Sequence, residues 1–245
     1  MRSKTILCVP RTEAIRYAGD FLAASGLHVT RTAAPDITHV LLPVPSFSAG
    51  DEYLAHLLGD LPTDTIICGG NLFSPLLSGL PVIDFLQDPF YLAENAAITA
   101  RCALQLIENK VDFLPDSYCA LIIGWGRIGK CLCHQCEQKG IKFSAVARKA
   151  TDRAMIQALG YRGISIEQAR KESDRYDVIL NTVPALVLPD LQAKEHALLL
   201  ELASTPGMNG ANIIDCRGLP AKMAPEASGK LIAETFLRLS LSQED

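Results

Sequence analysis

Residues 121–136 read LIIGWGRIGKCLCHQC, and two kinds of chemistry could be written in them. Gly124, Gly126 and Gly129 form G-x-G-x-x-G directly after an apolar run and directly before a stretch of helical pattern. In that context the first glycine permits a tight turn, the second lets the backbone approach a pyrophosphate, and the third lets helix and strand pack closely. The helix N-terminus adds free N–H groups and the positive end of a dipole. The turn, with Trp125, Arg127 and Ile128 between its glycines, therefore suits a dinucleotide; the alternative is a Rossmann turn that has lost its ligand.

The second half of the stretch carries Cys131, Cys133, His134 and Cys136. Zinc takes four ligands, usually as two separated pairs. On a helix Cys133 and Cys136 share a face while Cys131 and His134 point elsewhere. The sequence holds no second C-x-x-C, and a redox pair would precede its helix instead of sitting inside it. No metal site is expected, and the cysteines read as small apolar packing residues.

The residue that selects the cofactor is expected about twenty residues past the turn, where NAD-binding sequences place an acid for the ribose hydroxyls. This chain reads SAVARKATDR there, with Arg148 and Lys149 in the place of the acid. Two cations can hold a 2′-phosphate and no carboxylate is expected beside them, so NADP is favoured, with NAD as the other option; the alternative is that both side chains lie on solvent. Asn181, Thr182, Val183 and Pro184, at the C-terminal end of a strand, are expected to border the nicotinamide.

These groups need a scaffold, and 245 residues with 49% hydrophobic content can bury one. KTILCVP, GLHVTR, THVLLPV, DTIICGG and LPVIDF, with the helical TEAIRYAGDFLAAS among them, predict a small α/β domain over residues 1–88. Apolar residues from Leu92 to Ile107 then recur at helical spacing, predicting a connecting helix over 89–110. YCALII, IKFSAVA, YDVILNTVP, ALLLELAS and NIIDCRG, separated by helical stretches, predict a Rossmann doubly wound parallel sheet over 111–224. A last helix, 225–241, begins at Pro225 and carries Leu231, Ile232 and Phe236; it is expected to pack back on the first domain.

A net charge of −4 leaves no basic excess for a nucleic-acid backbone, and no apolar run reaches the 18 or so residues that span a bilayer. The apolar run after Lys4 stops at Pro10, short of a signal-peptide core. The chain is read as cytoplasmic, where its eight cysteines would stay reduced.

The order of small domain, long helix, Rossmann domain and returning helix is similar to that of D-2-hydroxyacid dehydrogenases. That likeness implies an Arg after the fifth nucleotide-domain strand and a late acid–base His, where this chain reads LASTPG and GLPAKMAPEAS. None of the five histidines fits, so the catalytic residue is unknown and 2-keto acid reduction is not expected. GWGRIG, ENAAITARCAL, NTVPALVL, LLLELASTPG and GLPAKMAPEASGKLIAETFLRL more closely resemble the A subunit of dipicolinate synthase, from about Asp84 onward. The resemblance implies oxidation of a dihydrodipicolinate-like ring to the pyridine dicarboxylate of bacterial spores, with NADP as acceptor and, for a partner, a flavoprotein-like B subunit. A homo-oligomer, a dimer paired through the Rossmann domain, is expected as well.

Aromatisation drives such a reaction, so the protein chiefly has to position the ring and its carboxylates. Asn95, Thr99, Ser204 and Thr205 are the expected substrate donors; each could equally cap a helix or shape a turn. Where the family carries Arg in LASRPG this chain has Thr205, so Arg101 or Arg217 would have to supply the clamp, and the segment from Pro206 to Ile213 is short for the helix expected there. The competing reading is a catalytically silent NADP(H)-binding regulatory or partner subunit.

Overall fold

A computed structural model describes residues 4–46, 56–58, 61–110, 117–189, 191–209 and 212–241. The chain divides into two compact units, one of residues 1–95 and 220–245 and one of residues 96–219. Both are parallel α/β sheets, and among the described residues no helix is long and apolar enough to cross a membrane.

In the first unit β1 (Thr5–Cys8), β2 (His28–Thr30), β3 (His39–Leu41), β4 (Ile66–Gly69) and β5 (Val82–Asp84) lie in the order β2-β1-β3-β4-β5. This is the flavodoxin-like winding. Leu7, Val40, Leu42, Ile67 and Leu72 form its core. Helix α1 (Glu13–Ala24) starts where the Thr12 hydroxyl accepts the Ile15 N–H at 3.3 Å, and it buries Ala14, Ile15, Ala18 and Leu22 at helical spacing. Helix α2 (Pro89–Glu108) has proline in its first position and Asp88 as its cap, whose carboxylate accepts the Tyr91 N–H at 2.7 Å. The division between the units falls inside α2, after Asn95.

The C-terminal helix belongs to the first unit. After a short α3 (Leu219–Met223), helix α4 (Pro225–Leu241) lies against α1 so closely that a Cβ on Gly229 would stand 2.4 Å from the Ala14 carbonyl oxygen and 2.6 Å from Tyr17 Cβ. Only glycine permits that approach. Phe236 is fully buried with His39 edge-on at 5.4 Å, and the Arg238 guanidinium forks onto both oxygens of Asp88.

The second unit holds six strands among the described residues: β6 (Cys119–Ile123), β7 (Lys142–Val146), β8 (Arg162–Ile164), β9 (Val178–Asn181), β10 (Leu198–Glu201) and β11 (Ile213–Asp215), in the order β11-β10-β9-β6-β7-β8. That is the Rossmann order, third-second-first-fourth-fifth-sixth, read from the other edge. Helices α5 (Arg127–Gln138), α6 (Ala150–Ala158) and α7 (Ile166–Glu172) cover its first half. Two expectations are corrected here. Strand β8, short and with Gly163 at its centre, escaped the hydrophobic pattern because it is an edge strand paired on one side alone. The helical stretches expected between β9, β10 and β11 are absent among the described residues, where Pro184, Pro189, Pro206 and Gly207 interrupt any helical run and an isolated bridge joins Leu188 to Met208.

Candidate nucleotide-binding site

The three glycines of the turn have three different reasons to be there. Gly124 follows β6 with φ at +108°, donates to the Val146 carbonyl at 3.0 Å, and has no room for a Cβ, which would meet the Thr182 hydroxyl at 2.5 Å and Val183 Cγ2 at 2.7 Å. Gly129 lies within α5, where a Cβ would fall 2.1 Å from the Gly124 carbonyl oxygen. Gly126 caps α5 with an ordinary φ of −83°, and a Cβ there would meet nothing within 4 Å. No side chain bonds the cap, so the first-turn N–H groups of α5, on Arg127 and Ile128 among others, lack intrahelical acceptors and keep the positive end of the helix dipole open. The residues fit a pyrophosphate.

Beside the turn is a cavity of about 310 Å³, lined entirely by the second unit. Gly124 and half-buried Trp125 form part of its wall, with the Lys130 ammonium 5.7 Å from the indole centroid. Arg148 and Lys149, between β7 and α6, line it too, and among the described residues their side chains make no hydrogen bond or ion pair. Arg153 holds that turn in shape by donating to the carbonyls of Ala147 at 2.9 Å and Arg148 at 2.8 Å. Asp152, in the first turn of α6, lines the same cavity half-buried, with no ion pair among the described residues. The position was expected to be free of carboxylates; a helical turn brings round a group three residues on that linear reading passed over.

Loop 182–187, after β9, contributes Val183, Ala185 and Val187 to the cavity wall. Thr182 bonds the Ile123 carbonyl at 2.8 Å, tying this loop to the glycine turn, while Pro184 is exposed. Asn181 is placed differently from a ligand-facing group. It is fully buried, its amide nitrogen donating to Glu201 Oε1 at 2.8 Å and to the Val183 carbonyl at 3.0 Å while its oxygen accepts the Val183 N–H at 3.1 Å. Sequence reasoning missed Glu201, a buried carboxylate whose one visible signal is an acid inside the apolar run LLLELA.

The expected substrate donors are not gathered in this cavity. Ser204 and Thr205 are exposed on the loop after β10. On α2, Asn95 is half-buried and Thr99 buried. Arg217 is engaged by Asp215 through Nε at 2.9 Å and through its terminal nitrogen, and Arg101 is an exposed residue of α2. Among the described residues no histidine lines the cavity. Cys133 and Cys136 point into the packed side of α5, where burial pushes the Cys136 thiol up to about 12, and Cys131 is half-buried on another face.

Two parallel-sheet units, one wound in Rossmann order with a glycine turn between its first strand and helix, define the fold of the NAD(P)-dependent dehydrogenases. The chain is similar to the A subunit of dipicolinate synthase. It is 22% identical to that protein from Bacillus subtilis (strain 168) over 156 residues, 59% of this chain and 52% of the relative, so the matched part spans about half the relative's length. The structure of the corresponding dipicolinate synthase protein from Bacillus halodurans superposes with a TM-score of 0.79 at 19% identity, covering 97% of this chain and 98% of that one. A transhydrogenase from Sinorhizobium meliloti gives 0.70 at 14% identity over 90% and 79%. No family model matches the chain.

Proposed function

We propose that this chain is an NADP-dependent oxidoreductase that oxidises a dihydrodipicolinate-like cyclic dicarboxylate to its aromatic form. The observation that carries the reading is a glycine turn sharing one cavity with two cations, Arg148 and Lys149. The N–H groups opening α5 would hold the pyrophosphate, and Arg148 and Lys149 the 2′-phosphate of the adenosine ribose. When bound, the nicotinamide supplies the acceptor for a hydride; the ring loses that hydride and one proton, leaving a pyridine dicarboxylate, NADPH and H⁺. Because aromatisation drives the loss, orientation matters more than a strong base, consistent with a cavity wall without histidine among the described residues. Ser204, Thr205, Asn95 and Thr99 remain the proposed substrate donors. The proposed partners are a second copy of the chain and a flavoprotein-like B subunit; the proposed compartment is the cytoplasm.

A second reading is a silent NADP(H)-binding subunit. Thr205 in place of a cation, together with Arg217 held by Asp215, favours it. The test is to mix purified protein, NADP and the dihydrodipicolinate precursor, with and without a B subunit, and follow NADPH absorbance. Turnover supports the oxidoreductase. Nucleotide binding without NADPH formation in either mixture rejects it in favour of the silent subunit, and no binding of either nucleotide rejects both.

A further inference from the structure

Glu201 is 3% exposed, and among the described residues its carboxylate forms no ion pair. Three neutral donors satisfy it: the Asn181 amide at 2.8 Å, the Ala203 N–H at 3.0 Å and the Gly207 N–H at 2.8 Å. Burying a charge is costly, and an apolar residue would continue the LLLELA strand without that cost. What the carboxylate adds is geometry, because its donors come from the end of β9, where loop 182–187 begins, and from a second loop. Asn181 ends β9 in register with Glu201 at the end of β10, so the contact crosses neighbouring strands. Ala203 and Gly207 belong to the loop that follows β10.

That second loop lies directly against the cavity wall. A Cβ on Gly207 would stand 2.6 Å from the Val183 carbonyl oxygen and 2.5 Å from that of Ala185, and the Val187 N–H reaches the Gly207 carbonyl at 3.4 Å. Val183, Ala185 and Val187 are the three residues through which loop 182–187 faces the cavity. Glu201 thus controls the wall by two routes, through Asn181 to both backbone groups of Val183 and through Gly207 to the backbone beneath Ala185 and Val187.

We infer that Glu201 is a positioning residue that sets the Val183–Val187 wall for the adenosine half of the dinucleotide. The inference rests on the nucleotide reading above, in which Arg148 and Lys149, on the same cavity, hold the 2′-phosphate of the adenosine half. Glu201→Gln keeps size and shape but replaces one acceptor oxygen with an amide that opposes one of the three donors.

The test uses the full chain and titrates Trp125 fluorescence, the single tryptophan and part of the cavity wall, with NADPH and with reduced nicotinamide mononucleotide, which lacks the adenosine half. Glu201→Gln should weaken NADPH tenfold or more while the fragment changes less than twofold. Asn181→Ala, which cuts the link to Val183 and leaves Glu201 its two backbone donors, should produce the same split and serves if the first variant does not fold. Equal weakening of both ligands, or of neither, overturns the inference and leaves the nucleotide reading standing. A wild-type protein that binds neither ligand removes both.

Discussion

Gly126→Ala adds a methyl group at the one point of the glycine turn where the protein itself offers no obstacle. The backbone there is at φ −83° and ψ −168°, which any residue adopts, and no heavy atom lies within 4 Å of the new Cβ. The poorer cap costs ~0.5–1 kcal/mol, and the stiffer unfolded chain returns a stabilisation of about 0.4–1 kcal/mol. Stability should therefore hardly change. The methyl would instead occupy the space through which, on the proposed reading, a pyrophosphate approaches the first turn of α5. Loss of one hydrogen bond to a charged group there costs about 1.5–3 kcal/mol, or roughly 10- to 150-fold in NADPH affinity.

Gly129→Ala is the control from the same motif. Its Cβ would fall 2.1 Å from the Gly124 carbonyl oxygen, backbone against backbone, so it should lose about 1–3 kcal/mol of stability as well as binding. Calorimetric titration with NADPH and thermal melts of both variants separate the two effects. Wild-type NADPH affinity in Gly126→Ala would refute the reasoning, as would a fall in Tm matching that of Gly129→Ala.

Two further predictions follow from charge. Arg148 is exposed, so on the proposed reading a contact with a 2′-phosphate would contribute only about 1 kcal/mol per charge pair; Arg148→Ala should weaken NADPH roughly fivefold and NADH hardly at all, with the difference shrinking in high salt, whereas Asp152→Asn should raise the preference for NADPH. Titrations with both nucleotides at two salt concentrations check this, and parallel changes for NADPH and NADH in Arg148→Ala would contradict it. In the first unit, the hydrogen-bonded Arg238 fork holds the Asp88 carboxyl below the usual range, opposed by burial and aided by the Tyr91 N–H. A carboxyl whose folded pKa is depressed stabilises the fold above its unfolded pKa of about 3.9 and loses that contribution as pH falls through the lower folded value. Thermal melts from neutral to acid pH should thus decline more steeply for wild type than for Asp88→Asn, and identical slopes would remove Asp88 from the account.

Glycine spacing announced the turn because each of its demands is local: a positive φ at Gly124, an open cap at Gly126 and a close approach at Gly129 all fall within six residues. The buried strands were legible for the same reason, since TILC and CALII declare their burial in their own composition. Strand β8 was not, because Arg162 and Gly163 belong to a sheet edge where hydrophobic pattern is weak. Asp152 was hidden by the turn of a helix, which brings it to the same cavity as Arg148 and Lys149. Glu201 and Asn181 were hidden by distance along the chain: their bond spans twenty residues, and Asn181, read as facing a ligand, turns inward to meet it. Types and short spacings show in a sequence; which buried polar group finds which partner does not.

The close seating of α4 on α1 at Gly229 has a consequence for how the protein is made. The first unit needs residues from both sides of the second, 1–95 before it and 220–245 after it. During synthesis the β-α-β segments of residues 1–95 have to wait, with the face of α1 that carries Ala14 and Tyr17 uncovered, until α4 has been made. The stretch 96–219 is uninterrupted and complete before then. The 96–219 unit is thus the earlier of the two to have all its parts, and residues 1–95, made before it, are completed after it.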